Sequence, residues 1–81
     1  MEIRVKLFAT FREKAPTKVA IGEAFHLKVK DDCVVLDLLD HLDIPVEEAK
    51  IVMVNGISIK DYNHKLKQAD LVACFPPIGG G

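Results

Sequence analysis

The sequence predicts a small α+β fold: a mixed β-sheet with one main helix packed on one face and a flexible glycine tail at its C-terminal end. Three observations predict it. Apolar and polar residues alternate over 2–9 and again over 25–30, the period of a half-buried strand. Val35, Leu38, Leu39 and Leu42 recur at helical spacing. Asn55-Gly56 stands between two apolar runs, as a two-residue β-hairpin requires. The helix needs a sheet face on which to bury its leucines. Placing the first and last strands side by side is the simplest closure of that sheet.

The elements follow in order. Ile3, Val5 and Leu7 fall on one face of the first strand, and Glu2, Arg4 and Lys6 on the other. Phe8 puts an aromatic ring on that polar face. Thr10-Phe11-Arg12-Glu13 fits a capping box and predicts a short helical turn, which Pro16 ends. Gly22-Glu23 is a plausible turn before the second strand, where Phe25, Leu27 and Val29 alternate with His26, Lys28 and Lys30. The helix is expected over about 34–42, with Asp32 as the best cap candidate. Val46 to Lys50 has room for one further turn after Pro45.

In the hairpin over 51–59, Val54 should face Ile57 and Val52 should face Ile59, all four on the core side. Met53 and Ser58 then share the opposite face. Residues 60–69 are polar and loop-like, with one turn around Leu66. In the last strand, Leu71 to Phe75, Val72 and Cys74 point one way and Leu71, Ala73 and Phe75 the other. The expected core is Val5, Leu7, Leu27, Leu38, Leu39, Leu42, Val52, Val54 and Val72.

Size and charge narrow the function. With 81 residues the chain is one domain, and 49% hydrophobic with 28% charged residues reads as a globular protein. A net charge of -1 leaves no nucleic-acid footprint. No apolar run would span a bilayer, and the N-terminal residues do not resemble a signal peptide. Cys33 and Cys74 are far apart and form no CxxC motif, so they read as reduced thiols of a cytoplasmic protein.

The chain divides into a domain over 1–75 and a tail over 76–81. Pro76 and Pro77 cannot donate backbone hydrogen bonds and favour an extended stalk. Gly79, Gly80 and Gly81 lose much backbone entropy on ordering, so no regular element is expected there. Fully extended, the tail would reach roughly 20 Å. A thin tip without side chains suits entry into a narrow channel of another protein, where the carboxylate of Gly81 could be worked on. That carboxylate is ionised at neutral pH and becomes an acyl donor only after activation.

Side-chain chemistry offers less. Ser58 has no Asp/His pattern around it. Cys33 near a helix start reads as packing, and Cys74 as a small buried hydrophobe. His26, His41 and His64 lack zinc-site spacing, and no metal site is expected. By strand parity, Phe8, Met53, Leu71, Ala73 and Phe75 fall on the outer sheet face. A contiguous apolar patch at the base of a tail suggests a docking surface.

The element order, the Asn55-Gly56 hairpin, the Asp70-Leu71-Val72 entry to the last strand and the Phe75-Pro76-Pro77-Ile78-Gly79-Gly80-Gly81 ending resemble the small-subunit family of molybdopterin synthase (MoaD). That family belongs with the thiamine-pathway sulfur carriers (ThiS) and other ubiquitin-like β-grasp proteins. The resemblance implies a β-grasp fold and a sulfur carrier. It implies that Gly81 is adenylated by an ATP-dependent, E1-like enzyme and then thiocarboxylated, with sulfur from a donor protein. No bound cofactor is implied: ATP is used by the activating enzyme and the sulfur is held covalently on Gly81. Gly79 and Gly80 would thread the partner's channel. Phe8, Met53, Leu71, Phe75, Pro76, Pro77 and Ile78 would bind partners, including the large subunit of the synthase. A ubiquitin-like modifier and a thiamine-pathway carrier are the alternatives, and an inert interaction module is a third. Three positions depart from the family pattern. Ala69 stands where a Gly usually precedes Asp70, so that turn should be remodelled. Val34 stands where a capping Thr is common, and Gly79 where a larger small residue is often seen.

Overall fold

The alternating strand at the start of the sequence forms β1 (Glu2–Leu7), with Ile3 and Val5 wholly buried and Arg4 exposed. The computed structural model describes residues 1–77. β2 (Phe25–Lys28), the helix α1 (Val35–His41), the hairpin strands β3 (Ile51–Val54) and β4 (Ile57–Ile59), and β5 (Leu71–Phe75) follow. Short 3₁₀ helices span Ala9–Lys14 and Val46–Glu48.

The five strands form one sheet in the order β2-β1-β5-β3-β4. β1 and β5 run parallel, pairing Arg4 with Leu71, Val5 with Val72, Lys6 with Ala73 and Leu7 with Cys74. The remaining neighbours are antiparallel. The first and last strands are thus adjacent, as expected. α1 buries Val35, Leu38 and Leu39 against the inner face formed by Ile3, Val5, Val52, Val72 and Cys74. Leu27, expected in the core, is only partly buried and packs at its margin.

Several local expectations are corrected. The helical turn after β1 is present, but Thr10 does not cap it; the residue before it is Phe8, and no side chain caps. The Phe8 amide is still bonded to the Cys74 carbonyl at 3.2 Å, and Ala9 turns the chain out of the strand at φ 52°. Phe11, only 3% exposed, tucks into the core and holds the turn.

Asp32 does not cap α1 either. Val34 occupies that position, and its amide donates to the Asp37 carboxylate at 3.1 Å. The next two amides, of Val35 and Leu36, are met by the carbonyls of His64 (3.1 Å) and Tyr62 (3.0 Å). A distant backbone segment supplies what a cap side chain would otherwise supply. That segment is extended at Lys65, which bridges to Val34, and Leu66 is buried there instead of starting a turn. Turns lie on either side of it, with the His64 amide donating to the Asp61 carbonyl and the Asp70 amide to the Lys67 carbonyl, each at 3.1 Å. The earlier turn centres on Ile21-Gly22, where the Glu23 amide meets the Ala20 carbonyl at 3.0 Å, one residue before its expected place.

The hairpin register is as expected: Val54 faces Ile57, Met53 faces Ser58 and Val52 faces Ile59. Asn55 and Gly56 have φ of 52° and 82°, the two left-handed residues of a type I′ turn. Only Val52 and Val54 are buried, however. Ile57 is 70% exposed because β4 is the outermost strand. In the turn before Asp70, Ala69 adopts φ 68°, the left-handed conformation that a glycine would take easily.

Candidate functional site: the outer sheet face beneath the tail

Because Val72 and Cys74 point inward, Leu71, Ala73 and Phe75 point outward from β5. The neighbouring strands bring their own outward residues alongside. Ala73 lies between Lys6 of β1 and Met53 of β3, and Leu71 lies beside Arg4. Phe75 pairs with Ile51 on one side. On its other side its ring stacks on Phe8, with centroids 4.4 Å apart and planes 9° from parallel. An aromatic pair of this kind is worth about 0.5–1.5 kcal/mol beyond its buried area.

Phe8, Met53, Leu71, Ala73 and Phe75 are therefore brought together on one face, each partly exposed. Ile51, 43% exposed, completes the apolar row beside Phe75. Sequence reasoning missed it, although it shares strand parity with Met53. Arg4 and Lys6 border the patch on the β1 side. Pro76, half-buried, and Pro77, exposed, lead away from its Phe75 end. Ile78, Gly79, Gly80 and Gly81 lie outside the described residues.

The thiols are held away from chemistry. Cys74 is fully buried, and burial pushes its pKa up to about 12. Cys33 is also buried; desolvation raises its pKa, the nearby Asp37 carboxylate raises it further, and Lys30 opposes both. Its Sγ donates to the Val34 carbonyl at 3.4 Å. Neither thiol is a thiolate at neutral pH, the form that attacks electrophiles or binds metal. His26 contacts Glu2 at 3.3 Å on the surface. Ser58 is exposed on β4. Among the described residues, no three His, Cys, Asp or Glu side chains converge as a metal site would require. No helix among them is long and apolar enough to cross a membrane.

The family model described as the ThiS family matches residues 5–81. Among solved structures, the HVO 2177 protein of Haloferax volcanii is similar at 32% identity and TM-score 0.75, over 100% of this chain and 87% of the other. Small archaeal modifier protein 1 (SAMP1) of the same organism is similar at 25% identity and TM-score 0.72, over the whole of both chains. Subunit 1 in a complex of subunits 1 and 2 of the molybdopterin-converting factor of Helicobacter pylori shares the fold. It has 22% identity and TM-score 0.60 over 100% of each chain. No curated protein matches the sequence.

Proposed function

Since this chain belongs to the ThiS family of ubiquitin-like β-grasp proteins, we propose that it is a sulfur carrier acting through Gly81 as the small subunit of a molybdopterin synthase. The observation that carries the reading is the stacked Phe8–Phe75 pair in a half-exposed apolar patch, directly before Pro76-Pro77 and the glycines. The family match also runs through Gly80 and Gly81.

In this scheme the patch docks on an ATP-dependent activating enzyme. The Pro stalk aims the tail, and glycines pass a channel that side chains would block. A carboxylate oxygen of Gly81 attacks the α-phosphorus of ATP and pyrophosphate leaves. A sulfur donor protein then supplies sulfur as hydrosulfide, which attacks the acyl carbon of Gly81. The new C–S bond replaces the C–O bond to AMP, and AMP departs to leave a thiocarboxylate. The activating enzyme is next exchanged for a large subunit, where the thiocarboxylate gives its sulfur to the pterin precursor. Assembly of the Helicobacter pylori relative with its subunit 2 supports that partner. Cys33 and Cys74, being buried, take no part.

The likeness to small archaeal modifier protein 1 favours a second reading, in which activated Gly81 is joined to a lysine of another protein. Intact mass of the protein isolated from its native cells tests both. Replacement of one terminal oxygen by sulfur supports the carrier. Conjugates of higher mass support the modifier, and neither species leaves both readings without support.

A further inference from the structure

The free edge of β4 carries a second surface, on the opposite side of the sheet from the Phe8–Phe75 patch. Val54, Ile57 and Ile59 share the inner face there; Val54 belongs to the core, Ile59 packs against its margin, and Ile57 is 70% exposed. With Asn55, His64, Lys65, Lys67 and Asp70 they line an open cleft of about 250 Å³. Its charge is one-sided. Lys65 and Lys67 are exposed, and neither is in an ion pair among the described residues. The only lining carboxylate, Asp70, is buried and accepts from the Asn55 side chain (2.9 Å) and the Lys67 amide (2.8 Å).

The two lysines are also well placed. Lys65 is fixed by its bridge to Val34, and Lys67 by that amide bond to Asp70. In a two-residue hairpin, Ile57 and Ile59 exchange backbone bonds with β3, so the N–H and C=O of Ser58 point away from the sheet. Among the described residues no backbone group meets them.

We propose that this edge binds an extended peptide in which acidic residues stand two positions before and two positions after an apolar one, so that all three side chains fall on the face of the cleft. The peptide adds as a further strand on Ser58, seats its apolar side chain on Ile57, and sets its carboxylates against Lys65 and Lys67. The apolar lining selects a peptide over a nucleic acid, because phosphates gain nothing from Val54, Ile57 and Ile59. Because this surface lies on the other side of the sheet from the Phe8–Phe75 patch, both can be occupied at once.

The test is an amide NMR titration of the full chain with a capped peptide of about ten residues in which Glu, Val and Glu occupy alternate positions and Ser the positions between them. Shifts should centre on Ile57, Ser58, Ile59, Lys65 and Lys67, with slowed exchange of the Ser58 amide. Lys65→Glu combined with Lys67→Glu should weaken binding at least about tenfold. Ile57→Ser should weaken it about fivefold, the loss expected for one partly buried apolar side chain. These side chains are exposed, and the same spectra report that each variant is folded. Equal binding by a Glu/Ser peptide or by oligothymidylate would overturn the proposal in favour of a general polyanion site. Shifts at Phe8 and Phe75, or no shift at about 1 mM peptide, would also overturn it. So would concentration-dependent shifts without peptide at Val46, Glu47 and Glu48, which would make a second copy the occupant.

Discussion

Asn55 and Asp70 bind two left-handed turns to each other. The Asn55 side chain donates to Asp70 at 2.9 Å and accepts from the Leu71 amide at 2.9 Å. Asn55→Ala removes both bonds and forces alanine into φ 52°, so it should cost roughly 2–3 kcal/mol. Asn55→Gly keeps the turn and removes only the bonds, and should cost about 1–2 kcal/mol. Urea denaturation measures both, and equal losses would mean that the turn conformation contributes nothing.

Ala69 is the next residue to relax. Its φ of 68° is strained for any residue with a Cβ. Ala69→Gly should therefore stabilise the fold by about 0.5–1 kcal/mol, after the added freedom of glycine in the unfolded chain is subtracted. A lowered melting temperature would show that Ala69 makes a compensating contact.

Cys74 gives the fold an alkaline limit. Burial raises its pKa from the ordinary 9.0 to about 12, so the folded state holds the proton more tightly than the unfolded state does. The resulting stability is fully present below pH 9.0 and is lost as pH rises toward about 12. Unfolding free energy should fall through that window with a slope of up to about 1.4 kcal/mol per pH unit from this thiol. Cys33 and Tyr62, whose pKa values burial also raises, add in the same direction. Cys74→Ala should be less stable at neutral pH but show a shallower alkaline slope; an unchanged slope would contradict the assignment.

Phe75→Ala should weaken binding to the activating enzyme or large subunit by at least about 1–2 kcal/mol, as loss of a buried aromatic anchor does. It should also cost the fold about 0.5–1.5 kcal/mol through the lost stack on Phe8. Calorimetric titration and thermal melts separate the two effects. Unchanged affinity would remove the patch from the docking surface.

Tail length should matter more than any side chain. Deleting Gly81 leaves Gly79-Gly80 at the end but withdraws the carboxylate by about 3.5 Å. Adenylation needs reacting atoms within about 3–3.5 Å, so pyrophosphate exchange with the activating enzyme should be abolished. One residue added after Gly81 should be equally damaging, since it ties the carboxylate into a peptide bond. Cys33→Ala and Cys74→Ala should retain exchange. Full activity of the extended protein would rule out the carrier reading.

The strands and the outward patch were legible because both follow from local rules. Asn55-Gly56 dictates its turn, and parity sorts Val72 and Cys74 from Leu71 and Phe75. What escaped the sequence depends on distant chain. The start of α1 is satisfied by carbonyls of Tyr62 and His64, so no capping residue marks it. Phe11 is buried by strands on which a capping motif has no bearing. Ile57 is exposed because β4 has no neighbour beyond it, and strand order is not written in any short stretch. Ile51 could have been found by parity alone. The role of Gly81 rests on tail composition and family likeness, since it falls beyond the described residues.

β5 is laid between β1 and β3, both of which precede it in the chain. Without Leu71–Phe75 between them, the facing edges of β1 and β3 leave a slot of unpaired backbone groups, and a foreign strand that fills it is a route to aggregation. Closing the slot joins Arg4 to Leu71 across nearly the whole sequence, a long loop to close and a slow step for so small a protein. The same closure creates the Phe8–Phe75 stack. An incomplete or misfolded copy thus lacks the surface on which a partner would dock, and a partner that reads this surface accepts finished molecules only.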